Sequence, residues 1–178
     1  MKVKSALLVR KTLSTDLEAV LEIEEHPDNS PFIGAWTREQ HSAVINAGGE
    51  HWVIVADGDD IPGGYLIAFD LTSEGFGVWV QRMAISSKSR GVGRAVLRTY
   101  LADAMRRFHT DSATLEVMPT NMRAQRMYRA LGFTDAKLDT PERKRLHDLV
   151  GGFDDDGIIL RLAGEALRSD DRHDVHIR

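Results

Sequence analysis

Between Phe76 and Phe108 the hydrophobic period changes once, and that change restricts the folds open to the chain. Phe76 to Ile85 is mostly apolar or aromatic, with Val78, Trp79 and Val80 in a row, the pattern of a strand buried on both faces. Polar Ser86-Ser87-Lys88-Ser89-Arg90 follows, then Gly91-Val92-Gly93. Beyond it, apolar residues recur at Val92, Ala95, Val96, Tyr100, Leu101, Ala104, Met105 and Phe108. Spacings of three and four predict one face of a helix about four turns long. A strand, a glycine-containing loop and a helix start make an anion site, because the first amides of a helix lack internal acceptors and the helix dipole adds positive charge there. Lys88, Arg90 and Arg94 reinforce it.

Gly91 and Gly93 on their own could equally serve tight packing or a positive φ. A dinucleotide-binding turn would place a third small residue three positions after the second glycine, directly behind the strand. That position is Val96, and five polar residues intervene after Ile85. The lysine-serine pair of a P-loop is absent too, so NTP hydrolysis fits poorly.

Ala113 to Val117 reads as a short strand, Met118-Pro119-Thr120 as a break, and Ala124, Met127, Tyr128 and Leu131 as one face of a further helix that ends at Gly132. Phe133 begins the next strand. Here the sequence resembles the GNAT superfamily of acetyl-CoA-dependent N-acetyltransferases. The family's pyrophosphate loop, Gln/Arg-x-x-Gly-x-Gly/Ala, is matched by Lys88-Ser89-Arg90-Gly91-Val92-Gly93, with lysine as a departure at the first position. The later signature Asn-x-x-Ala-x-x-x-Tyr-x-x-x-Gly-Phe is matched by Asn121, Ala124, Tyr128, Gly132 and Phe133. The close resemblance covers about residues 76 to 133, and the flanks agree in their pattern of elements.

The chain has 178 residues, 42% hydrophobic and 28% charged, enough for one domain with a core, expected over residues 1–163 with a polar tail over 164–178. A net charge of −4 implies no general nucleic-acid affinity. The absence of cysteine excludes disulfides, thiolate metal ligation and a cysteine acyl-enzyme. The first apolar run, Ala6 to Val9, is too short for a signal or a membrane span, and a cytoplasmic protein is the default expectation. His173 and His176 in the tail, and the other five histidines, lack metal-ligand spacing, so no metal is expected.

Before the organising strand, Ala6–Thr12 reads as a strand. Ser14 or Thr15 is the expected cap of a helix carrying Leu17, Val20, Leu21 and Glu24 that stops before Pro27. Thr37 and Gln40 make a capping box for a second helix to about Ala47. His51–Ala56 and Gly64–Leu71 are strands of a meander. After Phe133, Thr140-Pro141-Glu142 starts a helix to Leu149, with Thr140 as its expected cap, and Gly157–Leu162 is a late strand. Ala163–Arg178 reads as a frayed helix and a disordered tail. The expected architecture is α/β (α+β): a GNAT-like mixed, mostly antiparallel sheet of six or seven strands with a splayed parallel pair, and helices on both faces.

The resemblance implies acetyl-CoA as cosubstrate and direct transfer to a primary amine in a ternary complex. It implies that Met83, Ala84 and Ile85 pair with the pantetheine arm, one strand amide there polarising the thioester carbonyl. The loop from Lys88 and Ser89 through Arg90, Gly91, Val92, Gly93, Arg94 and Ala95 would hold the pyrophosphate. Asn121 would orient the pantetheine or the tyrosine helix, and Tyr128 would protonate the departing thiolate. Some family members carry a glutamate base on the fourth strand, where this chain has Trp79. Glu25, His26, His51, Glu74 and Glu116 are the titratable alternatives, and no base is assigned. The first helix and its loop border the acceptor site in the family; Trp36, Trp52 and Trp79 with Glu24, Glu25 and Asp28 suit a cationic amine or, as readily, core packing. The acceptor is a small-molecule or peptide amine, without nucleic acid or membrane partners, and a homodimer is an open expectation from the family. The competing expectation is a non-catalytic acyl-CoA-binding or sensing module, which Trp79 and Lys88 motivate.

Overall fold

The computed structural model describes residues 6–56, 58–86, 91–152, 156–168 and 175–178. In chain order these form β1 (Leu7–Lys11), α1 (Leu17–Glu25), α2 (Arg38–Asn46), β2 (Glu50–Ala56), β3 (Gly64–Leu71), β4 (Gly77–Ile85), α3 (Val92–Arg107), β5 (Ser112–Val117), α4 (Met122–Ala130), β6 (Thr134–Asp135), α5 (Thr140–Val150), β7 (Ile158–Ala163) and β8 (Val175–Ile177). The hydrogen-bonded strand order is β6-β7-β5-β4-β3-β2-β1-β8. Pairing is parallel for β4 with β5 and for β1 with β8, and the sheet is therefore mixed.

The chain forms two compact units. The first holds residues 1–69, 82–100 and 170–178. Its meander follows the alternating apolar runs, with Leu7 opposite Ala56 in β1/β2 and Glu50 opposite Ala68 in β2/β3. Val20 and Ile23 of α1 pack with Val53, Val55, Tyr65, Ile67 and Ala84 in one buried cluster. Thr37 caps α2 as the sequence predicts: its hydroxyl accepts from the Gln40 amide at 3.3 Å, and the Gln40 side chain accepts from the Thr37 amide at 2.8 Å.

Two local expectations for this unit change. Neither Ser14 nor Thr15 caps α1; they lie in a 3-10 turn, and Asp16 stands at the N-cap position. Its carboxylate instead accepts from the Leu13 amide and ion-pairs with Arg10, both at 2.7 Å. The last residues also depart from the tail expected of them. Gly164–Arg168 is a 3-10 turn, and Val175–Ile177 adds β8 to the sheet by pairing Leu7 with Val175 and Val9 with Ile177. That strand raises the count among the described residues to eight, against six or seven expected. His173, the first of the two tail histidines, lies outside the described residues.

The second unit holds residues 70–81 and 101–169. Here β4 pairs in parallel with β5 at Val78–Ala113, Trp79–Thr114 and Val80–Leu115, and β7 runs antiparallel beside β5 from Ser112–Ala163 to Val117–Ile158. β4 is buried from Gly77 to Val80 and only partly buried at Gln81, so the strand predicted as buried on both faces is so over its first half. Asp139, not Thr140, caps α5: it accepts from the Glu142 amide at 2.8 Å while Glu142 accepts from the Asp139 amide at 3.0 Å. Proline in the first turn and Gly151 at φ 80° bound the helix.

Gly77 opens β4 at φ +68°, and a Cβ there would meet the Ser112 carbonyl and hydroxyl. Gly77→Ala is expected to lower the unfolding free energy by at least about 2 kcal/mol, since left-handed strain and a backbone clash coincide. A fall in the urea midpoint at unchanged m-value checks it.

Candidate active site

In the first unit, β4 ends in Met83, Ala84 and Ile85, with Ala84 buried and its neighbours half-buried. Asn29, itself buried, donates from Nδ2 to the Ile23 carbonyl at 2.8 Å and to the Ile85 carbonyl at 3.3 Å. The start of α3 belongs to the same unit. Gly91 is exposed at φ +89°, its carbonyl accepts from the Ala95 amide at 3.0 Å, and open space surrounds the position its Cβ would take. Val92, Gly93 and Arg94 form the first turn, which carries no acidic residue. The first amides of a helix lack acceptors within the helix, so a first turn of this kind suits a phosphate. Lys88, Ser89 and Arg90 of the expected loop lie outside the described residues.

Asn121 and Tyr128 belong to the second unit. The Asn121 side chain caps α4, accepting from the Ala124 amide at 3.1 Å. Gln125, which sequence reasoning left unassigned, donates to the Met118 and Pro119 carbonyls at 3.1 and 2.8 Å and so ties α4 to the break before it. Its place within the Asn121–Phe133 signature was the available signal. Asn121→Ala is expected to cost about 1 kcal/mol of stability, the usual value of an N-cap, read as a shift in melting temperature.

Tyr128 packs on Phe133 with ring centroids 5.8 Å apart. The residue is buried, and its hydroxyl hydrogen-bonds to no described residue. Burial pushes the phenol up to about 12, so it keeps its proton throughout the neutral range. It is a weaker acid than an unperturbed tyrosine and stays protonated there.

The base candidates separate by environment. Trp79 is buried and donates from its indole to Gln81 Oε1 at 2.5 Å; it has no titrating group. Glu25 and His26 are exposed, and Glu74 and Glu116 are partly buried. His51 is 1% exposed, and burial together with neighbouring His41 lowers its pKa to about 3, against the opposing pull of Glu24 and Asp16. An imidazole with that pKa is a poor proton acceptor at neutral pH.

His51 belongs to a buried polar chain that the sequence did not reveal. Its Nδ1 lies 2.8 Å from the Thr12 hydroxyl and its Nε2 2.9 Å from His41 Nδ1. His41 Nε2 reaches Glu24 Oε1 at 3.4 Å, the longest link. Glu24, 2% exposed, also accepts from the Tyr65 hydroxyl, from Arg82 Nε at 3.0 Å and from the Trp36 amide at 3.0 Å. Burial works to raise the Glu24 pKa, but His41, the bonds from Tyr65 and Trp36 and the charge of Arg82 outweigh it and hold the carboxyl below its ordinary range. The signal was present: Glu24 falls on the apolar stripe of α1, where a carboxylate needs a buried cation.

A family model, Acetyltransferase (GNAT) family, matches residues 17–133, and the chain belongs to that family. No curated protein matches the sequence. Among solved structures, a GNAT-family acetyltransferase from Bacillus anthracis is similar, with a TM-score of 0.68 at 19% identity over 93% of this chain and 99% of that one. The yncA protein of Salmonella typhimurium, solved with its cofactor acetyl-CoA, has a TM-score of 0.62 at 18% identity over 89% and 94%. Aminoglycoside acetyltransferase AAC(6')-Ib, in complex with coenzyme A, has a TM-score of 0.67 at 16% identity over 90% and 96%. These likenesses show the fold. Among the described residues no cluster of three or more His, Asp or Glu could hold a metal ion, and no helix is long and apolar enough to cross a membrane.

Proposed function

We propose that this chain is an N-acetyltransferase that moves the acetyl group of acetyl-CoA onto a primary amine of a small molecule or peptide. The observation that carries the reading is Tyr128, a protonated phenol whose hydroxyl bonds to no described residue, on a helix capped by Asn121. Family membership and the acid-free first turn of α3 support it, and yncA and AAC(6')-Ib were solved with acetyl-CoA and coenzyme A.

In this reading Gly91, Val92, Gly93, Arg94 and Ala95, with Lys88, Ser89 and Arg90, hold the pyrophosphate. Met83, Ala84 and Ile85 lend backbone groups to the pantetheine arm and an amide to the thioester oxygen. The neutral amine attacks the carbonyl carbon, a C–N bond forms and the C–S bond breaks. The thiolate takes the Tyr128 proton, the new amide loses its extra proton to water, and Tyr128 is reloaded from solvent. No side-chain base is assigned, because His51 is held neutral and buried and the Trp79 position cannot titrate.

Trp79 favours one other reading, an acyl-CoA-binding module without acceptor chemistry. Thiol release from acetyl-CoA across polyamines, amino acids, aminoglycosides and short peptides separates the two. Amine-dependent release supports the transferase; coenzyme A binding with no release on any amine supports the module.

A further inference from the structure

The Glu24–Arg82 pair sits where a buried ion pair is costly and an apolar pair would be as stable or more so. What it holds is specific. Arg82 Nη2 lies 2.9 Å from Glu24 Oε1 and donates to the Gly34 carbonyl, while Glu24 Oε2 accepts from the Trp36 amide at 3.0 Å. The two ends of one ion pair thus bind two backbone groups two residues apart in the loop between α1 and α2. The Trp36 ring covers the guanidinium at 4.8 Å. Tyr65 closes the pair from below, giving its proton to Glu24 and accepting from Arg82 Nε at 3.2 Å. The far end of the same loop is tied by Asn29 to the Ile85 carbonyl at 3.3 Å. Arg82 and Ile85 flank Met83 and Ala84 in β4.

His41 Nε2 lies 3.4 Å from Glu24 Oε1 without reaching hydrogen-bond geometry, while His41 Nδ1 pairs with His51 Nε2 at 2.9 Å and His51 Nδ1 with the Thr12 hydroxyl at 2.8 Å. Tyr65 and Arg82 hold Oε1 of the carboxylate, and Oε2 is left for the Trp36 amide.

We infer that Glu24 and Arg82 are positioning residues that fix the α1–α2 loop in register with the Met83–Ala84 backbone, aligning acceptor amine with thioester. The inference rests on the acetyltransferase reading for its consequence and on the clamp geometry for its cause. Lysine at 82 keeps a cation opposite Glu24 but has no planar fork to bridge carboxylate and carbonyl.

The test uses the full chain with Arg82→Lys and, as a variant without a stranded charge, Glu24→Leu/Arg82→Met. Amide hydrogen exchange, the coenzyme A dissociation constant and acceptor kinetics are read together. Expected are about tenfold or faster exchange in residues 29–37 with β2 and β3 unchanged. Acceptor kcat/KM should drop about a hundredfold, while the coenzyme A dissociation constant stays within about twofold. Loop exchange and acceptor kinetics at unaltered values in either folded variant would overturn the clamp, as would equal weakening of coenzyme A and acceptor. Absence of turnover in the unaltered protein would count against the acetyltransferase reading alone and leave the exchange to decide the clamp.

Discussion

Tyr128→Phe is expected to lower kcat by about 10²–10³-fold while leaving coenzyme A affinity and melting temperature near their starting values. The ring is what packs: it lies against Phe133 and its hydroxyl hydrogen-bonds to no described residue, so removing the oxygen strands no partner. In the proposed reaction the variant loses the proton delivered to the thiolate. Because burial pushes the phenol up to about 12, Tyr128 should also impose no falling limb on the rate below about pH 11, and the profile should be governed by deprotonation of the acceptor amine. A falling limb near an ordinary phenol value would mean that Tyr128 is more solvated during turnover than in the free protein. Equal loss of coenzyme A affinity and kcat would move Tyr128 from proton donor to cofactor packing.

The second large effect is acid lability from the first unit's buried chain. His51 has a folded pKa of about 3 against an ordinary 6.5, so between those values the unfolded chain binds a proton that the folded one refuses. Stability is therefore fully present above 6.5 and falls as pH drops toward 3, at a slope approaching 1.4 kcal/mol per pH unit for this one group, to order of magnitude. Glu24 and Asp16, whose carboxyls are held below their ordinary values, add losses in the same direction at lower pH still. Urea unfolding at about pH 7 and about pH 5 should differ by roughly 2 kcal/mol, and His51→Gln should flatten the difference. The groups around His51 act on it from several elements: Thr12 beyond the end of β1, Asp16 before α1, Glu24 on α1, His41 on α2.

How far the sequence speaks follows the range of the interactions involved. Thr37 and Gln40 announce α2 because a capping box is complete within four residues, and the Asn121–Phe133 signature carries its own helix, cap and end. Thr140, directly before Pro141, is the cap the sequence points to; Asp139 is an equally good capping residue one position earlier, and its carboxylate is the one that meets the Glu142 amide. β8 was missed because three residues within a charged tail have too few alternations to show a period, and only the edge of β1 pairs them. The Glu24–Arg82 clamp joins residues 58 apart. From sequence, a carboxylate on an apolar stripe states the need for a cation without saying which one.

The measurement that tests the central claim most directly follows free thiol and acetylated amine together in one reaction, with acetyl-CoA and whichever acceptor class gives turnover. The account predicts equal amounts of both products, no thiol without amine, and loss of both in Tyr128→Phe. Thiol released without acetylated amine would show hydrolysis in place of transfer, and tight coenzyme A binding with neither product on any amine would contradict the transferase.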